Sequence, residues 1–109
     1  MLHSFDVIKE KVVRDGKVAV LVSPGFGAGW YSWHNVPELL FDPVVVELVE
    51  SGRHYEIESY VEKKYPDSYT GGAMDLKVVW VTEGEQFRID EYDGAESLKR
   101  AIDERWITA

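Results

Sequence analysis

The order in which apolar and polar positions alternate, run together and stop along this chain predicts most of its elements. Phe5 to Val13 suits a strand or a short helix. Val12-Val13-Arg14-Asp15-Gly16-Lys17-Val18 then sets Asp-Gly between two β-branched runs, a strong signal for a hairpin. Its second arm, Lys17 to Ser23, is almost continuously apolar through Val18-Ala19-Val20-Leu21-Val22, which predicts a central strand covered on both faces. Pro24 ends it.

Helical spacing follows a glycine-rich interval. Val36 to Phe41 reads as a helical turn with proline near its start. Asp42-Pro43 reads as an N-cap with proline at the first helical position, opening a helix through Val44-Val45-Val46-Glu47-Leu48-Val49-Glu50 that stops at Ser51-Gly52. The three valines weaken that helix, because β-branched side chains lose rotamer freedom there. Glu56 to Lys64 is a second amphipathic helix, with Ile57, Tyr60, Val61 and Lys64 near one face and Pro66 closing it.

Asp67 to Asp75 lacks periodicity and reads as a loop. Leu76 to Thr82 and Gln86 to Asp93 are expected as two strands of a second hairpin, joined by Glu83-Gly84-Glu85. Alternation in the later strand puts Phe87 and Ile89 on one face and Arg88, Asp90 and Tyr92 on the other. A last helix is expected from Ala95 to Arg105, with Leu98, Ala101, Ile102 and Trp106 as its apolar stripe. These elements predict an α+β fold, a mainly antiparallel sheet of about four strands with about three helices packed mainly on one face. At 109 residues, the chain 1–109 suits a single domain.

The candidate chemistry lies in the glycine-rich interval, Ser23-Pro24-Gly25-Phe26-Gly27-Ala28-Gly29-Trp30-Tyr31-Ser32-Trp33-His34-Asn35. Glycines free a backbone to turn N–H groups inward, and the aromatics offer flat faces with polar edges on which a planar ligand stacks. The interval matches neither the dinucleotide fingerprint nor a nucleotide-hydrolysing loop. This reading assigns ligand contacts to Ser23, Gly25, Phe26, Gly27, Gly29, Trp30, Tyr31, Trp33, His34 and Asn35. Tyr69 and Thr70 are added as a covering loop, and Arg88 as a guanidinium for a phosphate. Each has a plain structural alternative: Phe26, Trp30 and Trp33 as core filling, the Tyr69 loop as solvated surface, and Arg88 as one half of a solvent-facing ion pair.

Composition narrows the classes of function. A formal charge of -8 opposes binding to long nucleic acid. The chain has no cysteine, which removes disulfides and thiolate chemistry, and a reducing cytoplasm suits it. The N-terminal residues lack a signal-peptide pattern, and no apolar run is long enough to cross a bilayer. His3, His34 and His54 are scattered without metal-ligand spacing, and Ser23, Ser32 and Ser68 lack a nucleophile elbow. No cofactor or metal is implied, and the expectation is a protein that is not an enzyme.

Ser23 to Trp33, taken with Glu38-Leu39-Leu40-Phe41-Asp42-Pro43, Tyr65-Pro66-Asp67 and Phe87 to Gly94, resembles a group of small bacteriophage proteins. That group includes anti-defence sponges, of the anti-CBASS and anti-Thoeris type, which sequester cyclic nucleotide signals of bacterial immune systems. The resemblance implies tight, non-destructive binding of a cyclic di- or oligonucleotide by a homo-oligomer in the host bacterial cytoplasm. Besides a purely structural role, two other classes stay open. One is an inhibitor that binds a host protein through exposed aromatics, since Trp and Tyr dominate interface hot spots. The other is a small hydrolase whose nucleophile and base meet only in space.

Overall fold

The computed structural model describes residues 10–101. The first hairpin forms as expected. β1 (Val13–Arg14) and β2 (Lys17–Val22) pair antiparallel across Asp15 and Gly16, whose φ angles of 51° and 76° are those of the mirror-image turn that matches strand twist. β2 is also the central strand. Its far edge pairs antiparallel with β3 (Lys77–Thr82), from Lys17 opposite Thr82 to Val22 opposite Lys77.

The apolar run of β2 is explained by what covers its two faces. Ala19 and Leu21 point into a cluster with Trp30, Leu39, Val45, Val46, Ile57 and Val61. Val18, Val20 and Val22 point the other way, against Leu40, Phe41 and the half-buried Phe87, Ile89 and Leu98. The three-stranded sheet is thus the middle of three layers, with helices on one side and a β-hairpin on the other. Each fully buried Val or Leu in this arrangement contributes about 1.5–3 kcal/mol.

The helical layer follows the sequence closely. α2 (Pro43–Glu50) starts at Asp42, whose Oδ1 accepts the N–H groups of Val44 at 2.8 Å and Val45 at 3.2 Å. The valines are tolerated because Val45 and Val46 are fully buried, so packing outweighs their weaker helix propensity. The second oxygen of Asp42 accepts from the hydroxyls of Tyr60 at 2.8 Å and Tyr65 at 3.3 Å, which ties α3 (Ile57–Lys64) and the residue after it to the start of α2. Burial, followed by the hydrogen bond to Asp42, pushes the Tyr60 hydroxyl up to about 12. Single 3₁₀ turns occupy Pro37–Leu40, His54–Glu56 and Ala73–Asp75, the last within the segment read as loop.

Two expectations are corrected. Glu83-Gly84-Glu85 makes a turn, with the Glu85 N–H on the Thr82 carbonyl at 3.0 Å, but β3 does not pair with β4 (Phe87–Tyr92). The turn carries the chain from one layer to the next, so that Phe87 and Ile89 pack beneath β2 as alternation predicted. The helix expected from Ala95 is instead β5 (Ala95–Arg100), antiparallel to β4 from Phe87 opposite Arg100 to Tyr92 opposite Ala95. Asp93 and Gly94, at φ 50° and 87°, repeat the Asp-Gly turn of the first hairpin. The fold is α+β, with three α-helices and five strands in two antiparallel sheets among the described residues. Ile102 to Arg105 of the expected helix, Trp106 of its stripe, and Phe5 to Lys9 lie outside the described residues.

Candidate functional site

The glycine loop leaves β2 at Ser23 and ends in α1 (Tyr31–His34), a single turn capped by Asn35 at φ 57°. Its inward N–H groups do converge, and what they converge on is the side chain of Glu96. The Glu96 carboxylate accepts from the N–H groups of Ser23, Trp30 and Ser32, each at 2.9 Å, and from the Ser32 hydroxyl. Glu96 is only 4% exposed, and its own N–H donates to the Ser23 carbonyl at 2.8 Å. A buried carboxylate with this many donors is charge-assisted at every bond, which offsets its desolvation.

A second carboxylate arrives from the same hairpin. Glu91 lies opposite Glu96 in the β4–β5 pairing and accepts from the Trp33 indole N–H at 3.0 Å and the Gly94 N–H at 2.7 Å. These two bonds, the indole's first, hold the Glu91 carboxyl below the usual range. The Gly27 N–H donates to the Asp93 carbonyl at 2.6 Å, so loop and hairpin tip are joined by backbone as well. Gly94 is required here: a Cβ on it would collide with the backbone of Gly27 and Ala28.

The aromatics divide into core and surface. Trp30 is fully buried; its indole N–H donates to the Leu39 carbonyl at 2.9 Å and its ring meets His34 edge-on. Tyr31 is half-buried and packs against both apolar clusters. His34 accepts the Val36 N–H on Nδ1 at 2.9 Å, so the neutral ring carries its proton on Nε2, which is buried with no partner among the described residues. Burial alone pulls the His34 imidazole down to about 4.

Outside, Phe26 is 73% exposed at the loop tip, Trp33 40% and Tyr69 38%. The Trp33 and Tyr69 rings touch, with centroids 5.1 Å apart. Trp33 lies across Gly29, where a Cβ would fall 2.5 Å from its ring, and the Asp75 carboxylate lies against Gly25. Thr70 accepts the Ala73 N–H at 3.0 Å and shapes the loop that carries Tyr69. Arg88 is placed apart from all of these, on the outward face of β4, where its guanidinium pairs with Asp90 at 2.8 Å. The structure therefore brings Ser23, Gly25, Phe26, Gly27, Gly29, Trp33, Asn35, Tyr69 and Thr70 into one region, buries Trp30 and most of His34 beneath it, and places Arg88 with Tyr31 along a different groove.

Glu91 and Glu96 are the residues that sequence reasoning missed. The available signal was the second Asp-Gly with Glu96 and Leu98 in alternation, masked by the helical spacing of Leu98 and Ala101. A separate groove of about 720 Å³ opens between the hairpin and the three-stranded sheet. Phe41 and Phe87 meet edge-to-face in its wall at 6.3 Å, and the Lys11 ammonium sits 4.6 Å over the Phe41 ring. Among the described residues there is no group of three side chains suited to hold a metal, and no helix is long and apolar enough to cross a membrane.

Comparison of the chain with protein-family models, with curated proteins and with solved structures finds no match. The resemblance to phage anti-defence proteins rests on the quoted motifs alone.

Proposed function

We propose that this is a binding protein that docks another protein on the aromatic face above the glycine loop and breaks no bond in doing so. The observation that carries this is Phe26, 73% exposed at the tip of a loop whose base is held by Glu91 and Glu96. Exposure of that ring does nothing for folding, since apolar surface gains stability only when it leaves water. A loop already held in place loses little entropy on binding, and exposed aromatics on such a scaffold are what anchor protein interfaces. In a phage context this is an inhibitor of a host protein.

The test starts with crosslinking of the full chain in its host cells and purification of the partner. The purified pair should bind with micromolar affinity or better, and Phe26→Ala with Tyr69→Ala should weaken it at least tenfold while the melting temperature holds. Affinity unchanged in the double variant overturns the proposal.

A second reading is favoured by the groove. Its half-buried Phe87 ring suits a base and Lys11 a phosphate, so capture of a cyclic nucleotide is proposed there and not at the loop, where Glu96 takes the donors. Incubation with cyclic dinucleotides, denaturation and chromatography of the released material tests it. Intact recovery that is lost in Phe87→Ala supports the sponge reading, and an altered product supports a hydrolase.

A further inference from the structure

We propose that the group recognised by the aromatic face is a cation, and that the partner presents arginine to it. This rests on the docking reading and specifies its chemistry. Three segments build the face: the glycine loop, the Tyr69 loop and the tip of the β4–β5 hairpin. No Lys or Arg occurs from Val18 to Gly52, from Tyr65 to Leu76, or from Ile89 to Leu98, so none of the three segments carries a basic side chain. Carboxylates surround the rings instead. The Asp75 carboxylate lies against Gly25, Glu91 bonds the edge of Trp33, and Asp93, which takes the Gly27 N–H on its backbone carbonyl, is exposed at the hairpin tip.

The faces of aromatic rings carry the negative lobe of the quadrupole, and neighbouring carboxylates add to the same potential. An anionic group brought here meets repulsion from these carboxylates, which Lys77, lining a groove with Pro24, Gly25 and Asp75, offsets at one edge of the face only. A second copy of this chain would set the same acidic rim against itself, which like-charge repulsion opposes. A guanidinium gains on every count: it stacks flat on Trp or Tyr, sheds its water more readily than an ammonium, and reaches a carboxylate with its N–H groups. The carboxylates set the sign of the partner's charge, and the exposed rings supply the contact.

The probe is an octapeptide rich in arginine, compared with its lysine and citrulline counterparts and with a cyclic dinucleotide as the anion. Each is titrated into the ¹⁵N-labelled full chain at roughly 50 mM salt and again at 300 mM. The arginine peptide should move the Trp33 indole resonance and the amides of Phe26 and Tyr69. It should bind at least about tenfold more tightly than the citrulline peptide and weaken severalfold at the higher salt, as screening requires. Asp93→Asn keeps a residue that tolerates positive φ and should weaken the arginine peptide without changing the fold.

Equal binding of the citrulline peptide overturns the cation while leaving the docking face intact. Movement of the same resonances by the dinucleotide, or no movement by the arginine peptide at millimolar concentration, also overturns the cation. The docking reading itself stands or falls on the Phe26 and Tyr69 variants with the purified partner. A self-association that these two variants abolish replaces the arginine partner with a second copy.

Discussion

Glu91 and Glu96 sit opposite each other across the β4–β5 hairpin, and both carboxylates are delivered to the same glycine loop. Like charges so placed repel across a strand pair. They are held together by donors from a different part of the chain: Ser23, Trp30, Ser32 and Trp33 from the loop, with Gly94 closing the turn. Hairpin and loop therefore order each other, and the aromatics outside inherit a fixed base.

The first prediction follows from the donors. Glu96→Ala strands buried N–H groups at Ser23 and Trp30, each costing about 1–3 kcal/mol, so stability should fall by about 3 kcal/mol or more. At this size that lowers the melting temperature by roughly 10 °C or more. Millimolar acetate should restore part of the loss in the variant and none in the parent. A variant that melts with the parent shows that the cradle does not hold the hairpin.

A matched pair of glycines separates strain from collision. Gly16→Ala and Gly94→Ala both place a side chain at positive φ, at 76° and 87°, and both should lose about 1 kcal/mol. Nothing lies within 4 Å of a Cβ at Gly16, whereas at Gly94 it meets the backbone of Gly27 and Ala28. Denaturant titration should find Gly94→Ala the more destabilised by at least about 1 kcal/mol. Equal losses would mean that loop and hairpin tip do not approach as described.

Trp30 and Phe26 provide the contrast between core and surface within four residues. Trp30→Ala should cost about 3–5 kcal/mol. Phe26→Ala should stay within about 0.5 kcal/mol. Thermal melts of the two variants check both, and a large loss at Phe26 would return the loop tip to the core.

The pH dependence of stability has a definite sign. His34 is pulled down to about 4 from an ordinary 6.5, so between those values the unfolded chain binds a proton that the folded chain refuses. Stability should therefore climb as pH rises from about 4 to 6.5 and then level. Glu91, held low, adds stability that is present above the ordinary carboxylate range and disappears as the pH falls through its lowered value. His34→Gln should flatten the upper part of the climb. An unchanged slope in that variant would place the titrating group elsewhere.

Where neighbours in sequence decide the structure, the sequence by itself determined it. Asp15-Gly16 supplies both positive φ angles of its turn, Asp42-Pro43 caps and starts α2, and the unbroken apolar run of β2 requires cover on two faces. The convergence of the loop's N–H groups was not legible in its glycines: the donors are Ser23, Trp30 and Ser32, while Gly25 and Gly29 make room for Asp75 and Trp33. Nor was the anion they meet. Ser23 and Glu96 are 73 residues apart, and only the packing of the β4–β5 hairpin beneath β2 brings the carboxylate to the loop. The same packing overrode the helical spacing after Asp93: Leu98 is needed under Val18, Val20 and Val22, and a strand paired with β4 puts both Leu98 and Glu96 on the inward face. Tertiary structure alone also sorted the aromatics, since Trp30 and Trp33 are alike in local context and differ only in which one Leu39 and the core receive.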